Sequence, residues 1–271
     1  MDGVSSIPSA SRLRRGATAC LAVAAFAACW VIAFAWPGQL DYPLVRALNV
    51  FAGKVPRLDE ALAWLTTDYL FSGVLLMALV WHCWFAADGA EPRSAVLVGT
   101  VGAFAAGLAG RALQLALPTH LRPMHDAALA MRLPAGVDPA GLNHWSSFPS
   151  DHAAVQFGLA WVVWQARPGL GRAALIWAVL LNTARIYLGA HFPTDVIGGA
   201  ALGLLAVLLA QAALAAPAAR PLARLERSAP GAFYAVAFFL SYQIATLFDE
   251  ARTMAAAALA VLRGLLTHGA A

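Results

Sequence analysis

Three short stretches hold the residues best suited to chemistry: Arg122-Pro123, Phe148-Pro149-Ser150-Asp151-His152, and the run from Arg185 to Asp195. The last reads Arg185-Ile186-Tyr187-Leu188-Gly189-Ala190-His191-Phe192-Pro193-Thr194-Asp195, closing one apolar segment and opening the next. Charged groups at such depth are costly in lipid and usually mark function. Pro193 suits the first turn of a helix, so Asp195 falls near the positive end of a helix dipole, which favours its ionised form. A carboxylate there can hydrogen-bond one nitrogen of His191, fix its tautomer and leave the other nitrogen free to attack. Ser150 is a natural N-cap, and a helix start with free amides beside a hydroxyl is a ready anion site. His152, two residues further on, is placed to give a proton to a leaving oxygen. Arg111, Arg122 and Arg185 supply forked donors that match the equatorial oxygens of a phosphoryl transition state. Together these residues describe a phosphate-handling site at a membrane face.

Each residue also has a plainer reading. Arg111 or Arg185 alone could snorkel to an interface. Two such arginines beside a His–Asp pair are better explained by a site. His120, His125 and His144 read as loop histidines and stand outside the expected site. A histidine-rich face could hold zinc, but no close-spaced ligand pair such as His-Glu-x-x-His occurs, and neither metal nor cofactor is expected.

The elements that must position these groups are membrane helices. The chain has 271 residues, 61% hydrophobic and 12% charged, where a soluble domain carries about 25% charged residues. Its net charge of +4 comes almost wholly from arginine in short loops, a topology or lipid-headgroup signal rather than a nucleic-acid surface. Cys20, Cys29 and Cys83 lie inside apolar runs, spaced neither for metal nor for disulfides.

The apolar runs are Ala17–Trp36, Tyr69–Phe85, Ser94–Leu117, Ala153–Gln165, Arg172–Ala190, Thr194–Ala216 and Gly231–Phe248. Twenty residues at 1.5 Å rise cover about 30 Å, enough to cross a bilayer. The first run has a basic flank and Ala33-Phe34-Ala35, as a cleaved signal would, but is longer than the usual signal core. The more polar stretch from Pro37 to Asp68 suits short interfacial helices, and Asp249–Ala271 an interfacial tail. The expected fold is all-α: one domain over residues 1–271, an integral membrane bundle of six or seven helices. Its motif-bearing core covers 94–216, and an extra run and tail occupy 217–271.

Arg12, Arg14 and Arg15, then Arg93, Arg167 and Arg172, and Arg220, Arg224 and Arg227 fall on alternate sides of successive spans. By the positive-inside rule that side is cytoplasmic. Arg122, His152, His191 and Asp195 then share the outer face of the plasma or inner membrane.

The three stretches resemble the motifs of the type 2 phosphatidic acid phosphatase superfamily, which also includes vanadium haloperoxidases. Those motifs are Lys, six residues, Arg-Pro; then Pro-Ser-Gly-His; then Ser-Arg, five residues, His, three residues, Asp. Here they appear in order, with Leu115 at the lysine position, Asp151 for the glycine and Ala184 for the serine. The resemblance implies a nucleophile at His191 oriented by Asp195, an acid at His152, and phosphate held by Arg122, Arg185 and Ser150. Arg111, one turn before Leu115, is a candidate substitute for the lysine. Phe-Pro-Ser-Asp-His is similar to the bacterial undecaprenyl-diphosphate phosphatase branch. The expected substrate is therefore a lipid phosphate or diphosphate, preferably undecaprenyl diphosphate, with phosphatidic acid, phosphatidylglycerol phosphate and lipid A phosphate as alternatives. A non-catalytic lipid-binding or transport protein is the reading from another class. Membrane lipids are the expected partners, and nucleic acid is not.

Overall fold

The computed structural model describes residues 10–143 and 145–246. His144, the end of the last apolar run and the expected tail from Asp249 lie outside the described residues. The described chain is all-α: α1 (Ala10–Ala35), α2 (Pro37–Asn49), α3 (Pro56–Thr67), α4 (Leu75–Phe85), α5 (Ala90–Ala116), α6 (Asp151–Ala166), α7 (Pro168–Tyr187), α8 (Pro193–Ser228) and α9 (Pro230–Ala245). A π-turn, Leu70–Val74, leads into α4, and a 3-10 turn covers Pro123–His125.

Every apolar run read from the sequence is helical where it is described. By length and composition α1, α5 and α8 can each cross a membrane, and α3 with Leu70–Phe85 forms a further candidate, bent by 58°. The others are shorter or less apolar: α6 and α9 have 16 residues each, and α7 has 20 with Arg172 and Arg185 within it. Two elements depart from expectation. The run Tyr69–Phe85 opens with the π-turn rather than as one regular helix. Helix α8 continues past Ala216 to Ser228 with Pro217 and Pro221 inside it. Proline removes an amide hydrogen bond, but Ala, Leu and Arg fill most of the intervening positions and favour helix.

The bundle is centred on α5, α6 and α8, with α1 packed on α8 and α7 on α6. Small residues let these backbones approach, as in membrane helix pairs generally. A Cβ on Gly199 would lie 2.2 Å from the Ser150 carbonyl oxygen, and one on Gly203 would lie 2.1 Å from that of Ala154. Gly199 and Gly203, one turn apart on α8, thus seat the first turn of α6. Around the contact lies an apolar core that includes Val155, Leu159, Val163 and Val207.

The segment holding α2 and α3 forms a hat over one end of the bundle. Asp41 of α2 accepts from the Thr194 amide at 3.0 Å and its hydroxyl at 2.6 Å, tying the hat to the start of α8. Asp59 of α3 accepts from the amides of Gly53 and Ala135 and from the Tyr187 hydroxyl. Asn49 bonds Arg132 through both backbone groups. These contacts hold the long loop after α5 against the bundle end where α6 and α8 begin.

Candidate active site

His191 sits in the tight turn between α7 and α8. Gly189 makes that turn at φ +75°, and a Cβ there would press within 3.0 Å of Met124 and Met131, so both conformation and space require glycine. The turn is pinned from the loop side by the Met124 amide, which donates to the Gly189 carbonyl at 3.0 Å.

His191 is 2% exposed. Its Nδ1 lies 3.0 Å from the backbone carbonyl of Ser147. A carbonyl only accepts, so Nδ1 carries the proton and Nε2 keeps its lone pair. Asp195 Oδ2 is 3.6 Å from the same Nδ1. The tautomer is therefore set mainly by a backbone carbonyl, while Asp195 stands close as a charge. Asp195 Oδ2 accepts the Phe192 amide at 2.7 Å, placing the carboxylate in the first turn of α8 behind Pro193. Burial lowers the pKa of His191; Asp195 raises it and Arg122 lowers it again, and the net direction is down.

Ser150 caps α6, its hydroxyl accepting from the Ala153 amide at 3.3 Å, and its own amide donates to the Asp195 carbonyl at 3.0 Å. The N-terminus of α6 is thereby fastened to that of α8. The Phe148–Pro149 peptide before it is cis. His152 Nδ1 lies 2.9 Å from Asp151 Oδ1, which also accepts the His152 amide at 2.8 Å. His152 Nε2 is left for chemistry. The ionisable groups acting on His152 are Arg185, Asp151 and His191, and the Ser150–Asp195 backbone bond joins the second and third stretches in space.

Arg122 is 4% exposed, donates to the Ala190 carbonyl and to the Ser146 carbonyl at 3.3 Å, and stands 3.5 Å from His191 Nε2. Burial lowers its pKa, and the charges of Asp195 and Asp151 offset part of that. Arg185 donates to the Thr66 carbonyl at 3.0 Å. The buried Nε atoms of Arg122 and Arg185 have no hydrogen-bond partner. An unpaired buried cationic donor is expensive, and an anion would satisfy it. Arg111 lies 3.3 Å over the Trp145 ring and donates to Gln114 Oε1 at 2.8 Å. Gln114 in turn donates to the Pro149 carbonyl at 2.7 Å, so Arg111 is tied to the segment that carries Ser150. A small cleft beside His152 runs between α6 and α9 past Val155, Leu159, Ile244 and Ala245.

The sequence profile of the PAP2 superfamily matches residues 17–216. The chain belongs to that superfamily. Among curated PAP2 relatives, it is 42% identical over 67 residues to "Putative undecaprenyl-diphosphatase YbjG" of Escherichia coli, covering 24% of this chain and 33% of that one. It is 41% identical over 85 residues to phosphatidylglycerophosphatase B of Bacillus subtilis, covering 27% and 42% respectively. These alignments thus span well under half of either relative. The solved PAP2 phosphatidylglycerolphosphate phosphatase from Bacillus subtilis superposes over 73% of this chain and 94% of its own, with 23% identity and a TM-score of 0.47.

The fold gathers the PAP2 positions around one cluster. His191, Asp195 and Arg122 are in direct proximity, and His152 and Arg185 lie within their electrostatic reach. Leu115, at the first-motif lysine position, is 78% exposed and faces away. Ala184 is buried. His125, set aside in the sequence reading, bonds the Pro139 carbonyl in the loop. His120, set aside with it, is 8% exposed and lies 3.3 Å from Asp195 Oδ1. Ser147, not singled out from sequence, supplies the carbonyl under His191. A signal for His120 existed: it stands two residues before Arg122, and an extended chain turns such residues to the same side.

Proposed function

We propose that this PAP2 membrane protein is a lipid phosphate or diphosphate phosphatase working through a phosphohistidine at His191. The observation that carries the reading is the unprotonated Nε2 of His191, with the Nδ1 proton committed to the Ser147 carbonyl and the Nε2 lone pair facing Arg122 at 3.5 Å, where a phosphoryl group would take the guanidinium's N–H. In the first step the Nε2 lone pair forms a bond to phosphorus as the bond from phosphorus to the lipid-side oxygen breaks. His152 enters this step as the imidazolium, its Nδ1–H on Asp151 and its Nε2–H toward the lipid-side oxygen; it gives the Nε2 proton to that departing oxygen and becomes neutral. The imidazole gains positive charge as the bond forms, and Asp195 is placed to stabilise it. In the second step water attacks phosphorus, passes a proton to His152, and the nitrogen–phosphorus bond breaks. Phosphate leaves and both histidines return to their starting forms. Arg122, Arg185, Arg111 and the capped start of α6 would balance the phosphoryl charge. Because arginines offer this charge, turnover is expected to survive chelators.

The preferred substrate is undecaprenyl diphosphate. Support comes from the name of the Escherichia coli relative and from the Pro-Ser-Asp-His sequence. The expected setting is the plasma or inner membrane with the site facing out. The arginine-bearing ends support this side: Arg93 pairs with Glu226 at 3.0 Å and Arg167 bonds the Ala86 carbonyl, at the opposite ends of these helices from His191.

The test is phosphate release by purified protein in detergent and EDTA, with undecaprenyl diphosphate, phosphatidic acid and phosphatidylglycerol phosphate side by side. Chelator-resistant release favouring the diphosphate supports the reading. Intact protein that releases phosphate from none of them contradicts it.

A further inference from the structure

Asp195 is fully buried, and its Oδ1 has no hydrogen bond. An ionised carboxylate so placed needs a counter-charge, or it loses the ionised form on which its role depends. His191 cannot serve before the reaction, because a nucleophile must be neutral. The other ring at hand is His120. Its Nδ1 lies 3.3 Å from Asp195 Oδ1 and 2.7 Å from Ser147 Oγ. It is wedged between the rings of Phe34 and Phe192, with centroids at 5.3 and 5.1 Å. The Ser147 amide also donates to the His120 carbonyl at 2.9 Å, and the His120 amide to Ser146 Oγ at 3.1 Å. His120 and His191 therefore flank one carboxylate, and Ser147 touches both rings, one through its hydroxyl and one through its carbonyl.

We propose that His120 is a positioning residue of the reaction: as a cation it keeps Asp195 ionised beside His191, and through Ser147 it fixes the carbonyl that orients the nucleophile. This inference rests on the phosphohistidine reading above. Asp41 of α2 and the Ala33 carbonyl of α1 also favour a charged ring at this place. Burial works against that charge, but Asp195, Asp41 and the Ala33 carbonyl together outweigh it, leaving the pKa of His120 raised. His120 touches no reacting atom, so it acts through Asp195 and Ser147.

The experiment is a double-mutant cycle on phosphate release with His120→Gln and Asp195→Asn, with melting temperature measured for each protein. Glutamine keeps a donor for Ser147 but no charge. His120→Gln should lower kcat about 10–100-fold, the usual scale for a supporting partner, with KM nearly unchanged. In the Asp195→Asn background the same substitution should cost less than about 2-fold, because the charge it balances is already gone. Equal losses in both backgrounds, or a loss that follows the melting temperature, would overturn the proposal, as would undiminished kcat in His120→Gln. If glutamine prevents folding, His120→Asn completes the same cycle. Wild-type release, and its loss in His191→Ala, tests the underlying reading separately.

Discussion

Asp151 and His152, adjacent in sequence, are joined through one carboxylate oxygen: Asp151 Oδ1 accepts the His152 amide at 2.8 Å and faces its Nδ1 at 2.9 Å. The acid in the place of a family glycine thus turns toward the histidine that follows it, rather than only toward phosphate. Asp151→Gly removes that acceptor and should lower kcat about 10-fold, within the range for an oriented acid. Asp151→Asn keeps an oxygen there and should stay within about 3-fold of wild type if orientation dominates. Steady-state kinetics on both variants decide it; an asparagine variant as impaired as the glycine one would assign the effect to charge.

The acid limb of kcat/KM should have its midpoint below the ordinary histidine value of 6.5. His191 attacks only when neutral, and burial lowers its pKa; with the opposing pull of Asp195 and the added push of Arg122, the net shift is down. As pH falls through that lowered value the lone pair is protonated and activity is lost. Arg122→Gln removes a cation beside the ring, so in that variant the limb should move to higher pH. A wild-type midpoint above 6.5, or a limb that moves lower in the variant, would contradict this electrostatic picture.

Arg111 and Leu115 lie one turn apart and should behave oppositely. Arg111→Ala should reduce kcat/KM on the order of 100–1000-fold, the scale for losing one donor to developing charge. Leu115→Ala, at a position 78% exposed, should leave kcat/KM within about 2-fold. Kinetics on purified variants check the pair; a sensitive Leu115 with an indifferent Arg111 would reverse the assignment.

Gly199 should not tolerate a methyl group. Its Cβ would meet the Ser150 carbonyl oxygen at 2.2 Å, so α6 and α8 must separate. Overpacking of this kind costs about 1–3 kcal/mol. Gly199→Ala should therefore lower the melting temperature and, if the proposed site is correct, reduce kcat/KM, because the displaced residue is Ser150, the cap of α6. Gly16, around which nothing lies within 4 Å, provides the control substitution.

The sequence disclosed the helices and the candidate site residues unevenly, for physical reasons. Apolar length revealed α1, α5 and α8 directly, because a bilayer crossing imposes it. Ser150 and Pro193 marked helix starts because capping and N1 preferences are local. What stayed hidden depends on contacts between distant segments. Ser147 orients His191 through a backbone carbonyl, which any residue type could provide. His120 joins Asp195 across 75 positions only because the loop after α5 is pinned by Asp59, Asn49 and Asp126 to the interfacial hat. The bend before α4 carries no local mark in the sequence, and α8 runs through two prolines because the residues around them favour helix.

The most direct test of the central claim is to catch the covalent intermediate. Purified protein would be mixed rapidly with lipid substrate labelled in its terminal phosphate, quenched with base, and digested for mass spectrometry. The account predicts acid-labile, base-stable phosphate on His191 in the wild type, more of it in His152→Ala if dephosphorylation is slowed further than transfer, and none in His191→Ala. Phosphate release by the wild type with no label on His191, or undiminished release by His191→Ala, would contradict it.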